Sequence, residues 1–382
     1  MVKITASFNI VTPLFMSGAN QEEFELRGAS FKGVLRFWWR ALAHSRLCGN
    51  LQEIHKEESR IFGSSETGQG YFSIRISQPS PVKMIEKDQF LINANNQRVS
   101  SGTAYLGYGL IDTVNTNMGK LKRPCLLSPS RFTVYLLFRN TIDESVVSAL
   151  KIMGLLGGMG SRSRRGFGSL TLEKIEGDFT WIAPVDVSCY KKEVASLLSK
   201  LAYGMPEYSA FTAESRITLL TTGKDAFSVL DQIGNKMQIH RSWQKEKNFK
   251  PDHDLIRDFT LGSVTLQHPD RVAFGLPHNY FFSSSKAKAD IKPESQTRRA
   301  SPLIFHIHKF GANDYAGFAC ILPSQFLPVG EQINIMNKTY STLVPQNIDY
   351  RVLHNFIDGF KGEAGAKDFS SPYFPDKIEI YP

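Results

Sequence analysis

Cysteine is scarce in this chain and scattered. Cys48, Cys125, Cys189 and Cys320 stand alone, with no CxxC or zinc-ribbon spacing among them, so they read as free thiols in a reducing compartment. A continuous apolar run is missing too: nothing approaches the roughly eighteen residues that a membrane-spanning helix needs. The N-terminus has no basic segment followed by an apolar stretch. The expectation is a soluble, cytoplasmic protein with no membrane partner. Charge of one sign is only mildly in excess, 45 Lys+Arg against 36 Asp+Glu for a formal +9, which suits a polyanionic partner without requiring one. At 382 residues the chain has length for two domains, each with its own core.

What is present first is periodicity. Ile4, Ala6, Phe8 and Ile10 alternate with polar residues, as in a strand with one buried face. From Ser30 to about Arg46 the period becomes helical, with Phe31, Val34, Leu35, Trp38 and Leu42 in one arc. Strands are expected at 71–77 and 132–138, a helix at 143–156, and a strand from Ser169. The order β-α-β-β-α-β is that of a ferredoxin-like unit over residues 1–178. Residues 78–130, rich in Asn, Ser, Gly and Pro, read as a long and partly mobile insertion. Residues 179–210 read as a connecting segment with a helix near 190–203. Residues 211–382 read as a second such unit, with strands near 215–222, 303–309, 315–322 and 377–381 and helices near 224–239 and 347–360. The polar stretch Ser283–Arg299 reads as a flexible loop. The fold class expected is α+β, two tandem ferredoxin-like modules with long insertions.

Residues 157–168, GGMGSRSRRGFG, hold five glycines, three arginines and no acid. Glycine allows close backbone approach, and the guanidinium fork fits phosphate oxygens. No GxxxxGK[ST] string is present, and the order helix, loop, strand is the reverse of a dinucleotide fingerprint. No cofactor is expected. What remains is a cationic backbone nest lying along a chain of phosphates; the alternative is a tight helix-to-strand connection whose arginines face water. On the helix at 30–46, Arg36 lies about 40°, Arg40 about 80° and Trp39 about 20° from Lys32, whereas Trp38 lies about 120° away in the apolar arc. Trp39 at the edge of a basic stripe is placed to stack on a base. Its alternative is to pack beneath a second domain or a partner, with the cations lying over it.

These strings together resemble a known family. Phe24-Glu25-Leu26-Arg27, then Ser30-Phe31-Lys32-Gly33-Val34-Leu35-Arg36-Phe37-Trp38-Trp39-Arg40, Ile61-Phe62-Gly63-Ser64, Tyr105-Leu106-Gly107-Tyr108-Gly109, the glycine-rich loop, and Arg299-Ala300-Ser301-Pro302-Leu303 are similar to the RAMP subunit of type III-B CRISPR effector (Cmr) complexes that carries two fused RAMP modules. The resemblance implies a non-catalytic subunit that contacts guide RNA (crRNA) toward its 3′ part and the guide–target RNA duplex, beside other Cmr subunits, in antiviral defence. The RNA-contacting set expected from the helix and the loop is Arg27, Lys32, Arg36, Trp39, Arg40, Ser161, Arg162, Arg164, Arg165 and Phe167.

The rival within the same superfamily is a metal-independent ribonuclease that processes guide RNA with a histidine as acid or base. Its candidates are His44, His240, His306 and His308, none with an evident acid–base partner in the sequence. Asp252-His253-Asp254 offers ligand-type residues, but three in a row do not converge on a metal without help from elsewhere. No metal site and no catalytic residue are expected.

Overall fold

The computed structural model describes residues 1–93, 96–113, 115–244, 248–359 and 372–382. Positions 94, 95 and 114 of the expected insertion and position 360 of the expected helix 347–360 lie outside them. The N-terminal alternation becomes β1 (Val2–Ile10), whose Ile4, Ala6, Phe8 and Ile10 are wholly buried. Then come α1 (Gly28–Arg46), α2 (Leu51–Phe62), β2 (Phe72–Ile76), α3 (Ser101–Leu106), β3 (Ser130–Phe138), α4 (Glu144–Leu156), β4 (Leu170–Gly177), β5 (Trp181–Ile182) and α5 (Val187–Leu197). The five strands make one antiparallel sheet, ordered β2-β3-β1-β4-β5, with Ala6 opposite Val134 on one side and Ile175 on the other. α4 is apolar nearly all round because α1, β4, α5 and a strand of the second half surround it.

The second half begins with β6 (Arg216–Gly223), α6 (Ala226–His240) and α7 (Lys250–Thr260), followed by β7 (His278–Phe281), β8 (Lys288–Pro293), β9 (Leu303–Gly311), β10 (Asp314–Ile321), β11 (Ile333–Met336), β12 (Ser341–Val344), α8 (Arg351–Asp358) and β13 (Ile378–Tyr381). One antiparallel sheet runs β9-β10-β6-β13 and another β7-β8-β11-β12. The molecule is therefore a mixed α+β protein built on antiparallel sheets.

Three expectations are corrected. Residues 283–299 do not form one polar loop: β8 lies inside them, with Ala289 and Ile291 turned into a core shared with Ile256, Phe259 and Ile335. The alternating inward residues are small or few, so the lysines dominate the sequence. α2 was not expected because it is mostly charged, although Asn50 caps it by accepting from the Gln52 and Glu53 N–H groups. The described part of the 78–130 insertion is structured. Leu91, Val99, Leu106, Ile111 and Leu121 share a core with Leu230 and Ile233 of α6.

That core depends on a close crossing of α3 and α6. A Cβ at Gly102 would lie 2.2 Å from the Asp231 carbonyl oxygen, and one at Gly234 would lie 2.1 Å from the Gly102 oxygen. Asp231 also accepts from the Thr103 N–H at 2.8 Å. Gly102→Ala is expected to cost about 1–3 kcal/mol through overpacking. Gly28→Ala, where a Cβ meets nothing within 4 Å, serves as the control in the same denaturant titration.

The two halves meet along a hydrogen-bonded seam. The outer edge of β9 donates from Phe305 N–H to the Arg164 carbonyl (2.9 Å), from Ile307 N–H to Ser169 Oγ (3.1 Å) and from Lys309 N–H to Thr171 Oγ1 (3.1 Å). An edge strand is thereby satisfied by the glycine-rich loop and the strand that follows it.

Candidate nucleic-acid interface

The glycines of the loop serve its own packing. Gly160 has φ +78° and Gly168 φ +58°, and a Cβ would stand 2.3 Å from the Phe15 oxygen at the first and 2.1 Å from the Met159 oxygen at the second. The loop folds back on residues 12–16: Ser161 N–H donates to the Phe15 carbonyl (2.8 Å), Gly168 N–H to the Pro13 carbonyl (2.9 Å), and Thr12 Oγ1 to the Gly166 carbonyl (2.6 Å). An open nest of N–H groups along the whole stretch is not formed, since these donors already have internal acceptors.

Its arginines divide by direction. Arg162 is exposed, with φ +63°, and donates from Nε and Nη2 to the Tyr108 carbonyl at 2.9 and 2.6 Å. Arg164 donates to the Ser301 carbonyl at 2.6 Å and stacks over Phe37 at 5.1 Å; burial first, then Arg299, pulls its pKa down to about 10. Arg165 turns toward the second half, and burial followed by Arg241 likewise brings it to about 10. Phe167 is fully buried edge-on to Phe15, so it is a core residue and not a platform for a base.

The stripe on α1 is corrected as well. α2 lies along its outer side. Trp39 is only 1 % exposed, packs edge-on against Phe62 and donates to Ser145 Oγ at 2.7 Å. Both adjacent tryptophans are therefore core, Trp38 against Phe211 and Trp39 beneath α2, so packing prevails, under a neighbouring helix of the same half of the chain. Glu58 of α2 holds Arg36 (2.5 Å) and Arg40 (3.7 Å), while Lys32, lowered in pKa by burial and then by Arg36, keeps no carboxylate partner among the described residues.

What remains open gathers around the N-terminus of α1. Its cap residue Arg27 supplies no side-chain cap and its first turn has no acid, so the positive end of the helix dipole is unopposed. Arg27 is 44 % exposed and lies 3.8 Å from Glu25. On one side is a cleft of about 270 Å³ lined by Ser17, Gln21, Ser30, Arg123, Gly160 and Ser161. On the other is one of about 580 Å³ lined by Gly28, Lys32, Gly63, Ser64, Gly68 and Gly70. A third, of about 250 Å³, shares Ser30 and adds Phe37, Ser163 and Arg164. Among the described residues, no carboxylate is part of their lining, although that of Glu25 lies against Gly18 at the edge of the first. Arg123 escaped the sequence reading, although Lys120, Lys122 and Arg123 form a visible basic run. Lys120 and Lys122 pair with Asp88 and Asp112, leaving Arg123 at the cleft.

The histidines lie inside. His44 packs edge-on to Tyr208; His240 and His306 are 1 % exposed and burial lowers both to about 3; His308 is fully buried, with its pKa pushed well below the usual range. Asp252 accepts from the N–H groups of Asp270 and Arg271, while His253 stacks on Trp243 at 3.8 Å, so the Asp-His-Asp string points in different directions. Among the described residues, no group of three or more His, Cys, Asp or Glu side chains is placed to hold a metal ion, and no helix is long and apolar enough to cross a membrane.

Residues 7–171, which include most of β1, together with α1, β2, β3 and the glycine-rich loop, match the RAMP superfamily. It is similar to two proteins of Pyrococcus furiosus: the CRISPR system Cmr subunit Cmr1-2, 27 % identical over 180 residues (43 % of this chain, 92 % of that one), and Cmr1-1, 23 % identical over 350 residues (87 % of each). The crystal structure of Cmr1 from Pyrococcus furiosus in its apo form shares the fold at a TM-score of 0.56 and 17 % identity, covering 100 % of this chain and 99 % of that one.

Proposed function

We propose that this chain is a non-catalytic RNA-binding subunit of a type III-B Cmr ribonucleoprotein, working in the cytoplasm beside other Cmr subunits. It consists of two tandem ferredoxin-like modules, residues 1–178 and 211–382, joined by 179–210. The order β4-β1-β3-β2 of the first sheet and β13-β6-β10-β9 of the second supports that division. The observation that carries the function is the set of clefts, with no carboxylate in their lining, around the uncapped start of α1, bordered by the glycine-rich loop. Phosphates of a guide strand toward its 3′ part, or of a guide–target duplex, fit helix N–H groups flanked by Arg27, Lys32 and Arg123. Similarity to Cmr subunits along 87 % of the chain supports the same reading.

The triple variant Arg27→Gln/Lys32→Gln/Arg123→Gln is expected to flatten the log–log salt dependence of single-stranded RNA binding by about 2, since each phosphate contact contributes about 0.7. Arg36→Gln, which removes a guanidinium already held by Glu58, should change that slope little. An unchanged slope in the triple variant would refute the placement. No cleavage is expected in EDTA or with Mg²⁺ or Mn²⁺, because the buried, neutral histidines cannot reach a ribose hydroxyl.

A further inference from the structure

Behind the glycine-rich loop, three arginines come together from distant parts of the chain. Arg165 belongs to the loop, Arg241 ends α6, and Arg271 lies in the turn before β7. Arg241 lies over the ring of Phe274 at 5.1 Å; Arg271 lies over Phe249 at 5.7 Å and Tyr280 at 4.9 Å; Phe249 and Phe274 touch edge-to-face. The backbone of Arg165 bridges to Phe305 of the second half, and Arg241 is near enough to help lower the Arg165 pKa after burial. All three act electrostatically on His278, whose Nε2 lies 2.8 Å from the Arg271 carbonyl.

Among the described residues, the Nε atoms of Arg241 and Arg271 are buried without a hydrogen-bond partner, and Arg271 also lies against the Tyr280 hydroxyl. The carboxylate facing them, Asp252, stands 3.7 Å from Arg271 Nε, beyond hydrogen-bond reach, and its oxygens are engaged by two backbone N–H groups. Each arginine is only partly buried, so the cluster keeps contact with solvent. Like charges held together on an aromatic floor with unused donors are costly unless an anion completes them.

We propose that Arg165, Arg241 and Arg271 form a receptor for a phosphate monoester. Three guanidinium groups offset by one carboxylate leave a charge near +2, which matches a monoester of about −2 better than the single charge of a phosphodiester. Resting on the RNA-binding reading, the inference is that the cluster takes the phosphorylated end of an RNA strand. A free nucleotide presents the same chemistry.

The test uses the full chain and one short single-stranded RNA bearing a 5′-phosphate, a 3′-phosphate or neither, with inorganic phosphate and 5′-AMP as small probes. One phosphorylated end should bind about tenfold more tightly than the unphosphorylated strand, as charge-assisted hydrogen bonds allow. Inorganic phosphate should raise the melting temperature. Arg241→Gln and Arg271→Gln should each abolish the preference and the thermal shift while leaving the unphosphorylated strand bound. Arg241→Lys should retain part of both. Arg241→Gln removes like-charge repulsion, so its ligand-free melting temperature should equal or exceed that of the parent. Equal binding of all three RNAs with no thermal shift overturns the receptor and leaves the RNA-binding reading intact. Thermal shifts that depend on these arginines without any RNA binding uphold the receptor and overturn that reading. A shift with 5′-AMP but no end preference in RNA overturns the strand-end assignment in favour of a nucleotide.

Discussion

Trp39→Ala is expected to destabilise the protein by about 3–5 kcal/mol, as for other fully buried large aromatic residues truncated to alanine. The indole is enclosed by Phe62 and by Arg46, which lies 5.5 Å from its ring, and its N–H is spent on Ser145 Oγ. Ser145 in turn donates to Asp143 at the start of α4, so the truncation also loosens the junction of α1, α2 and α4. Trp39→Phe keeps most of the volume and is expected to lose much less. Equilibrium denaturation of both variants separates packing from any RNA contact: an alanine variant as stable as the parent would return Trp39 to the surface and restore it as a base platform.

Acid should be the second large effect. His240 and His306 have folded-state pKa values of about 3, burial being the principal cause, against an unfolded value near 6.5. Unfolding between those values takes up protons, so their contribution is complete above pH 6.5 and falls as pH drops toward 3. Going from pH 7 to 4 removes about 3 kcal/mol for each, and His308, shifted in the same direction, adds to the loss. Asp252, raised by burial to about 6, opposes them by roughly 3 kcal/mol over the range in which it protonates. The histidines together still outweigh it. Denaturant titrations at pH 7, 5 and 4 check this, with the His306→Gln variant expected to show a shallower decline; stability that stays level down to pH 4 would contradict the burial of these rings as neutral groups.

Much of the first sheet was legible from alternation and from one change of period. β1 and α1 appear at the positions their apolar residues define. α2 was not, because Ile54, Ile61 and Phe62 are too few among charges to declare a face; only its cap betrays it. The Asn, Ser, Gly and Pro content of the insertion suggests a partly mobile segment. Gly102 instead permits a helix crossing with α6, more than a hundred residues away.

For the site, the residue types are plain from the chain alone: an acid-free glycine and arginine loop, no nucleotide-cofactor motif, and a cationic first helix. Tertiary structure alone decided which of these cations are available. Glu58 takes Arg36 and Arg40, backbone carbonyls take Arg162 and Arg164, and Arg165 is turned toward Arg241 of the second half. The physical reason is range. Periodicity reports which side of an element is apolar, a property of neighbours a few residues apart, whereas the partner of a guanidinium and the cover over a tryptophan come from elements far along the chain.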